Sequence, residues 1–317
     1  MTIPKVSPVA ERDNTSASSA ASAGEEAGTI LVVGSTGTVG REVVRRLSAA
    51  GARPLALMHT GPGAAVSGDR LNRVGADLDR PATVEAALDG VDRLFLLTRQ
   101  TSRQLAQEQT VIAAAARAGV GRVVKLSVFR AEERSPLQIA RQHWQAERVL
   151  HDSGLQHTVL RPVFFMQNLF GMVRDGTIAT AARDGRVAMI DARDIAAAAV
   201  AALTRVPAEG RVYTLTGPEA VSFDQVADVL GRQAGRTVRH VRVPAEVIFE
   251  RLRGAGTEAW FAADMAALHG MLANGYEDVV TDEVNALAGG PATPLARFAT
   301  DFSTRVAPNA APAGGPQ

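Results

Sequence analysis

Apolar residues fall along this chain in two rhythms: short unbroken runs, and longer stretches in which they recur at helical spacing. Thr29 to Val33 is β-branched or aliphatic at every position, as expected of a parallel strand buried on both faces. Val39, Val43, Val44 and Leu47 follow on one face of a helix ending near Ala50. The alternation then repeats. Strands are predicted at Arg53 to Met58, Arg73 to Leu78, Asp92 to Thr98, Arg122 to Ser127 and His157 to Leu160. Helices are predicted at Pro81 to Leu88, Ser102 to Ala118 (closed by Gly119) and Leu137 to Ser153. Strands and helices alternating in this way imply an α/β protein with a right-handed, doubly wound parallel sheet.

Beyond Arg161 and Pro162 the rhythm becomes irregular. Val163 to Val173 mixes signals, Val187 to Ile190 reads as extended, and Ile195 to Leu203 as a helix. Val212 to Leu215 is a further strand, and helix 191–204 and strand 211–215 are expected to return to the large sheet. Ser222-x-x-Gln225 is a capping box opening a helix to Gln233. Thr237 to Val243 alternates as a half-exposed strand, and Glu246 to Ala273 is helical with a break around Gly254 to Gly256. The expected organisation is a tail over 1–27, a nucleotide-binding domain over 28–162, a smaller C-terminal α/β substrate lobe over 163–303 and a Pro/Ala/Gly tail over 304–317.

The junction of the first strand and helix carries the chemistry. Gly34-x-x-Gly37-x-x-Gly40 follows the strand at once and opens the helix. This strand–turn–helix unit binds a dinucleotide pyrophosphate at a helix N-terminus, in a Rossmann sheet. Gly34 permits the tight turn, Gly37 lets backbone approach the phosphates, and Gly40 lets helix pack on strand.

Composition narrows the classes. The 317 residues carry a net charge of +1, so nothing in bulk charge favours nucleic acid or an anionic membrane. There is no cysteine, which removes disulfides, thiolate catalysis and thiolate metal sites. Residues 1–27 lack the apolar run of a secretory signal, and the alanine-rich stretch Ile195 to Leu203 is too short to span a bilayer. A cytoplasmic protein is expected.

Several segments resemble the NmrA-like group of atypical short-chain dehydrogenase/reductases, which includes type-2 quinone reductases. They are Gly34 to Val44, Gly75 to Thr98, Val123 to Ser127, His143 to Asn168, Ile190 to Ala196 and Tyr213 to Ala227, in the order the family has them. The resemblance implies an NAD(P)H-dependent reductase of a small, aromatic or quinone-, enone- or ketone-like molecule. It places backbone and hydroxyls of Ser35, Thr36, Gly37, Thr38 and Val39 at the pyrophosphate. It also places Asp77 and Leu78 at adenine, Leu97 and Thr98 at the nicotinamide ribose, and Pro162 and Val163 at the carboxamide. For Asp77 an ordinary turn aspartate is the alternative. A non-catalytic NAD(P) sensor and a non-redox isomerase or cyclase on the same fold are the competing functions.

Coenzyme choice follows from charge. NAD calls for an acidic residue at the end of the second strand. Here Met58-His59-Thr60-Gly61 stands in that place and Asp69 is the first carboxylate after it, so NADP is expected over NAD, with His59 or Arg41 facing the 2′-phosphate.

The superfamily's Tyr-x-x-x-Lys pair is absent: the two tyrosines, Tyr213 and Tyr276, are followed at the fourth position by Gly217 and Val280. The positions resembling that pair hold His143 and Glu147, one helical turn apart, where the carboxylate would favour an imidazolium able to donate a proton. Ser127 matches the substrate-orienting serine. The alternative is that His143 and Trp144 only line the cleft while Glu147 pairs with an arginine. Lys125 reads as a lysine snorkelling out of the cleft rather than a catalytic one. Asn168 is expected to brace the loop after the sixth strand, and Asp191 and Asp194 to open a helix without forming a metal site. Phe164, Phe165, Met166 and Phe170 read equally as a stacking surface for a flat substrate and as core.

Overall fold

In a computed structural model the described residues are 28–59, 72–205 and 210–306, the last five by backbone alone. Twelve short strands occur among them: β1 Ile30–Val32, β2 Leu55–His59, β3 Asn72–Ala76, β4 Arg93–Leu96, β5 Arg122–Leu126, β6 His157–Pro162, β7 Val173–Arg174, β8 Thr177–Thr180, β9 Arg186–Val187, β10 Arg211–Leu215, β11 Val221–Ser222 and β12 Arg239–Arg242. Seven form one sheet in the order β10-β6-β5-β4-β1-β2-β3. Every pairing in it is parallel. The fold is therefore a doubly wound Rossmann-type α/β sheet, whose order reverses between β1 and β4.

The apolar run of β1 shows why it lies at the centre. Ile30 and Val32 face a core shared with helices Thr38–Ala49 and Ala192–Thr204. Leu31 and Val33 face a second core beneath helices Pro81–Leu88 and Gln104–Ala118. All four are at most 1% exposed, so each successive side chain must be apolar. Helix Ala192–Thr204 is nearly all small apolar side chains, which fits it between the sheet and its neighbours. Arg93 and Arg122 donate to the Leu203 and Ala202 carbonyls at 2.8 and 3.0 Å, closing its C-terminus with positive charge.

After β6 the chain builds a third core around Phe164, Met166, Leu169, Ile178, Val187, Phe223, Leu230 and Phe298. Ser222 and Gln225 form the expected reciprocal cap on helix Phe223–Ala234. The helical stretch after β12 is two helices, Ala245–Gly254 and Ala259–Leu272, broken at the expected glycines. Strand β11 and the helices Glu283–Ala288 and Leu295–Val306 are not expected from the sequence, and two further features depart from the sequence reading. Strand β8 has no counterpart in it, yet β8 pairs in parallel with β12 and antiparallel with β7. Strand β3 ends at Ala76 because the Asp77 carboxylate turns back to accept from the Asp79 N–H at 3.0 Å. No helix among the described residues is long and apolar enough to cross a membrane.

Candidate active site

The turn after β1 is shaped by what it excludes. Gly34 has φ +77, and a Cβ there would stand 2.4 Å from the Leu97 carbonyl oxygen. A Cβ on Gly40 would stand 2.1 Å from the Gly34 carbonyl oxygen, so the helix sits against the turn with no room for a side chain. Gly37 caps helix Thr38–Ala49 with extended backbone, no side chain caps it, and its first turn carries no acid. Thr36, Gly37 and Thr38 are exposed, while Val39 is buried in the core beneath. That helix begins at the sheet's switch point, with no side-chain cap and no carboxylate in its first turn to compete for its N–H groups. This is a cradle that fits a nucleotide pyrophosphate.

Several expected contacts are already spent inside the protein. The Ser35 hydroxyl does not face the cradle: it donates to the Leu57 carbonyl at 2.7 Å and ties β2 to the turn. The Thr98 hydroxyl turns away from the crevice to the buried Glu108 carboxylate at 2.8 Å. Leu97 is half-buried beside Gly34, and Leu78 is buried in the second core. Asp77 takes part in the turn just described, and its N–H and carbonyl both bond the Thr83 hydroxyl. Pro162 and Val163 are buried at the end of β6, where Pro162 accepts from the Phe129 N–H at 3.0 Å and the Val163 N–H donates to Leu215. His59 is exposed at the end of β2, as is Arg41 in the first turn of the helix. Thr60, Gly61 and Asp69 lie outside the described residues.

Behind β5 the structure corrects the proton-transfer expectations. Lys125 does not snorkel. It is fully buried and pairs with the equally buried Glu108 at 2.6 Å. Its ammonium also lies 3.2 Å from His143 Nδ1, and His143 Nε2 lies 3.1 Å from the Gln104 amide nitrogen. A lysine donating to Nδ1 leaves Nε2 as the N–H, which needs an acceptor. The Gln104 oxygen has no partner, so rotating that amide by half a turn supplies one. Burial, then the charges of Lys125 and Arg161, hold the His143 pKa well below its usual value. Glu147 does not offset this, because it accepts from the Ser127 hydroxyl and is gripped through both carboxylate oxygens by Arg161. His143 is a neutral, sealed imidazole, and Ser127 a hydroxyl already donating inward.

Asn168 is exposed, and its neighbour Gln167 does the bracing: it bonds the Asp191 carboxylate at 2.8 Å and the Ala192 N–H at 2.9 Å. Asp191 caps helix Ala192–Thr204, and Asp194 binds Thr293. No cluster among the described residues could hold a metal ion. Phe164 and Met166 are core, and Phe170 packs on Phe298 with centroids 5.4 Å apart.

The sequence reading missed Tyr276 and Glu277. Tyr276 packs edge-on against Phe129, centroids 5.6 Å apart, and burial with the nearby Glu277 charge pushes its pKa up to about 12. Glu277 is buried, accepts from the Phe164 N–H at 2.9 Å and has its pKa pushed up to about 7 by desolvation. Both lie beyond the segments carrying the family resemblance; a Tyr-Glu pair just after a glycine was the available signal.

A model of the NmrA-like family matches residues 26–291. The chain belongs to the NmrA-like family. Among its relatives, an NAD(P)H azoreductase of Xenophilus azovorans is 38% identical over 275 residues, covering 85% of this chain and 96% of its own. A (4-alkanoyl-5-oxo-2,5-dihydrofuran-3-yl)methyl phosphate reductase of Streptomyces griseus is 36% identical, covering 88% and 99%. The structure of the NADPH-dependent quinone oxidoreductase QOR2 of Escherichia coli, complexed with NADPH, superposes with a TM-score of 0.75 at 28% identity, over 86% and 99% of the two chains.

Proposed function

We propose that this protein reduces a small conjugated acceptor, such as a quinone, an enone or an azo compound, with NADPH in preference to NADH. At the coarser level the chain is an NAD(P)H-dependent oxidoreductase, like its NAD(P)H azoreductase relative and the NADPH-dependent quinone oxidoreductase it superposes on. The observation that carries the reading is the side-chain-free cradle at Gly34 and Gly40, where no carboxylate competes for the helix N-terminus. Bound there, a reduced nicotinamide supplies a hydride, which is two electrons and one proton.

The chain's own residues limit what can accept that hydride. Reduction of a plain ketone needs a proton delivered as the alkoxide forms. Here His143 is held neutral behind β5, Ser127 donates to Glu147, and the Tyr276 hydroxyl is made a poorer acid. A conjugated acceptor spreads the incoming charge over its π-system, so its product anion can take the second proton from water. The remaining work is positioning, for which the half-buried Phe129–Tyr276 pair, tied to the end of β6 through the Phe129 N–H and the Pro162 carbonyl, supplies an apolar surface. For the 2′-phosphate, exposed His59 and Arg41 and the lack of an acid along β2 support NADPH.

The test is a coenzyme titration followed by a quinone and azo-dye panel read at the nicotinamide absorbance band. Saturable NADPH binding, tighter than NADH, with turnover of conjugated acceptors but not of simple ketones, is expected. Binding without turnover of any acceptor refutes the reductase reading, and His59→Asp should shift the preference toward NADH.

A further inference from the structure

Arg130 stands in the loop after β5 with φ +48, a left-handed conformation unfavourable for a long side chain. Its guanidinium carbon lies 4.9 Å from the Tyr276 ring centre and 5.2 Å from that of Phe129. The two rings pack edge to face, so the cation rests across a corner made of both. That corner is fixed from two directions. The Phe129 N–H bonds the Pro162 carbonyl, while Glu277, next to Tyr276, takes the Phe164 N–H. The guanidinium is thus held beside the ends of β5 and β6, on the side of the switch point away from the strands β2 and β3.

What it lacks is a counter-ion. It shares this with other exposed arginines, such as Arg41 and Arg211, but differs from Arg41 in being held against two aromatic rings. Among the described residues no carboxylate lies within ion-pairing distance of Arg130, although Glu132 is in the same loop and close enough to act on Tyr276. The ring contacts hold the guanidinium in place without using its N–H donors, which can take an oxyanion through paired hydrogen bonds.

We propose that Arg130 is a specificity-determining residue that selects acceptors bearing an oxyanion substituent (sulfonate, carboxylate or phosphate) on a flat conjugated ring system. The ring lies against Phe129 and Tyr276, and the anion meets the guanidinium edge. This rests on the reductase reading above.

The experiment compares naphthoquinone with its sulfonated analogue under saturating NADPH, using the full chain. In Arg130→Met the kcat/KM ratio of sulfonated to parent quinone falls about tenfold, the size expected of one partly exposed charge-assisted contact, and Arg130→Lys recovers part of it. A purely structural role lowers both quinones together; an unmoved ratio overturns the assignment. Weaker NADPH binding in place of a changed ratio overturns it too, since the anion met would then be the coenzyme's own phosphate. A second arm needs no turnover. Naphthalenesulfonate, titrated calorimetrically, should bind the variant about tenfold more weakly than wild type, and equal affinities reject the proposal. Absence of NADPH oxidation with either quinone in wild type rejects the reductase reading alone, because the calorimetric arm still decides Arg130.

Discussion

The glycine turn after β1 and the polar layer behind β5 lie in one sheet and are made of opposite materials. The turn works by omission: at Gly34 and Gly40 any side chain would strike a backbone carbonyl. The layer works by inclusion, with Glu108, Lys125 and His143 at most 3% exposed. The difference teaches where each is vulnerable. A turn of bare backbone is damaged by adding atoms, whereas a set of buried charges is damaged by removing them, since each partner left behind keeps its desolvation cost.

The largest effect should therefore come from Lys125→Met. It leaves the Glu108 carboxylate buried with only the Thr98 hydroxyl donating firmly to it. Loss of about 3–5 kcal/mol is expected in urea unfolding, with Lys125→Met/Glu108→Leu recovering most of it. A double variant no more stable than the single one would show that the pair is not what holds the layer.

Glu277 sharpens the point, being a buried acid without a cation partner among the described residues. Its pKa is raised from 4.5 to about 7. A raised carboxyl pKa favours the protonated folded state. Its stabilising contribution is complete below about pH 4.5 and is lost as pH rises through 7, worth about 3 kcal/mol over that window. Unfolding free energies at pH 5 and pH 8 should show that loss in wild type and little of it in Glu277→Gln. An equal loss in both would clear Glu277 of the effect.

These two regions were not equally legible in the sequence. The turn could be read because its constraint is local: three glycines at fixed spacing between a strand and a helix meet the same backbone in any sheet of this class. The strand and helix alternation was legible for the same reason. The polar layer joins Lys125 to Glu108 and His143 across three elements, and its pairing depends on the register that puts Leu96 beside Lys125. A signal did exist. Lys125 interrupts a run that must be buried on both faces, and Gln104 and Glu108 fall on the same helix face as buried Val111, Ile112 and Ala115. A charge in such a strand demands a buried opposite charge. Reading Glu147 as the partner of His143 used helical spacing alone; the alternative, that Glu147 pairs with an arginine, is the arrangement found, and the arginine is Arg161, which only the sheet brings near. Strand β8 was missed because four residues carry little periodicity, and its partner β12 is far away in the chain.

Adding atoms to the turn comes next in size. Gly40→Ala forces the helix off Gly34, at a cost of about 1–3 kcal/mol of stability. It also displaces the N–H donors proposed to meet the coenzyme phosphates, so NADPH affinity should drop by about a hundredfold. Calorimetric titration beside a melting curve separates the two effects, and unchanged affinity in a destabilised variant would detach the cradle from coenzyme binding.

The smallest effect is expected where the two materials meet, at Ser127. Its hydroxyl is 3% exposed and already donates to Glu147, which Arg161 continues to hold when the serine is lost. Ser127→Ala removes one hydrogen bond from a pair that stays charge-balanced, a change of about 1 kcal/mol, or roughly fivefold in kcat/KM at most. If Ser127 instead handed a proton to the acceptor, the loss would fall in kcat and grow with pH as water became a poorer donor. A pH series on Ser127→Ala with one quinone distinguishes these outcomes: a small, flat deficit leaves the hydroxyl as a strut for Glu147, and a deficit that widens with pH restores it to the reaction.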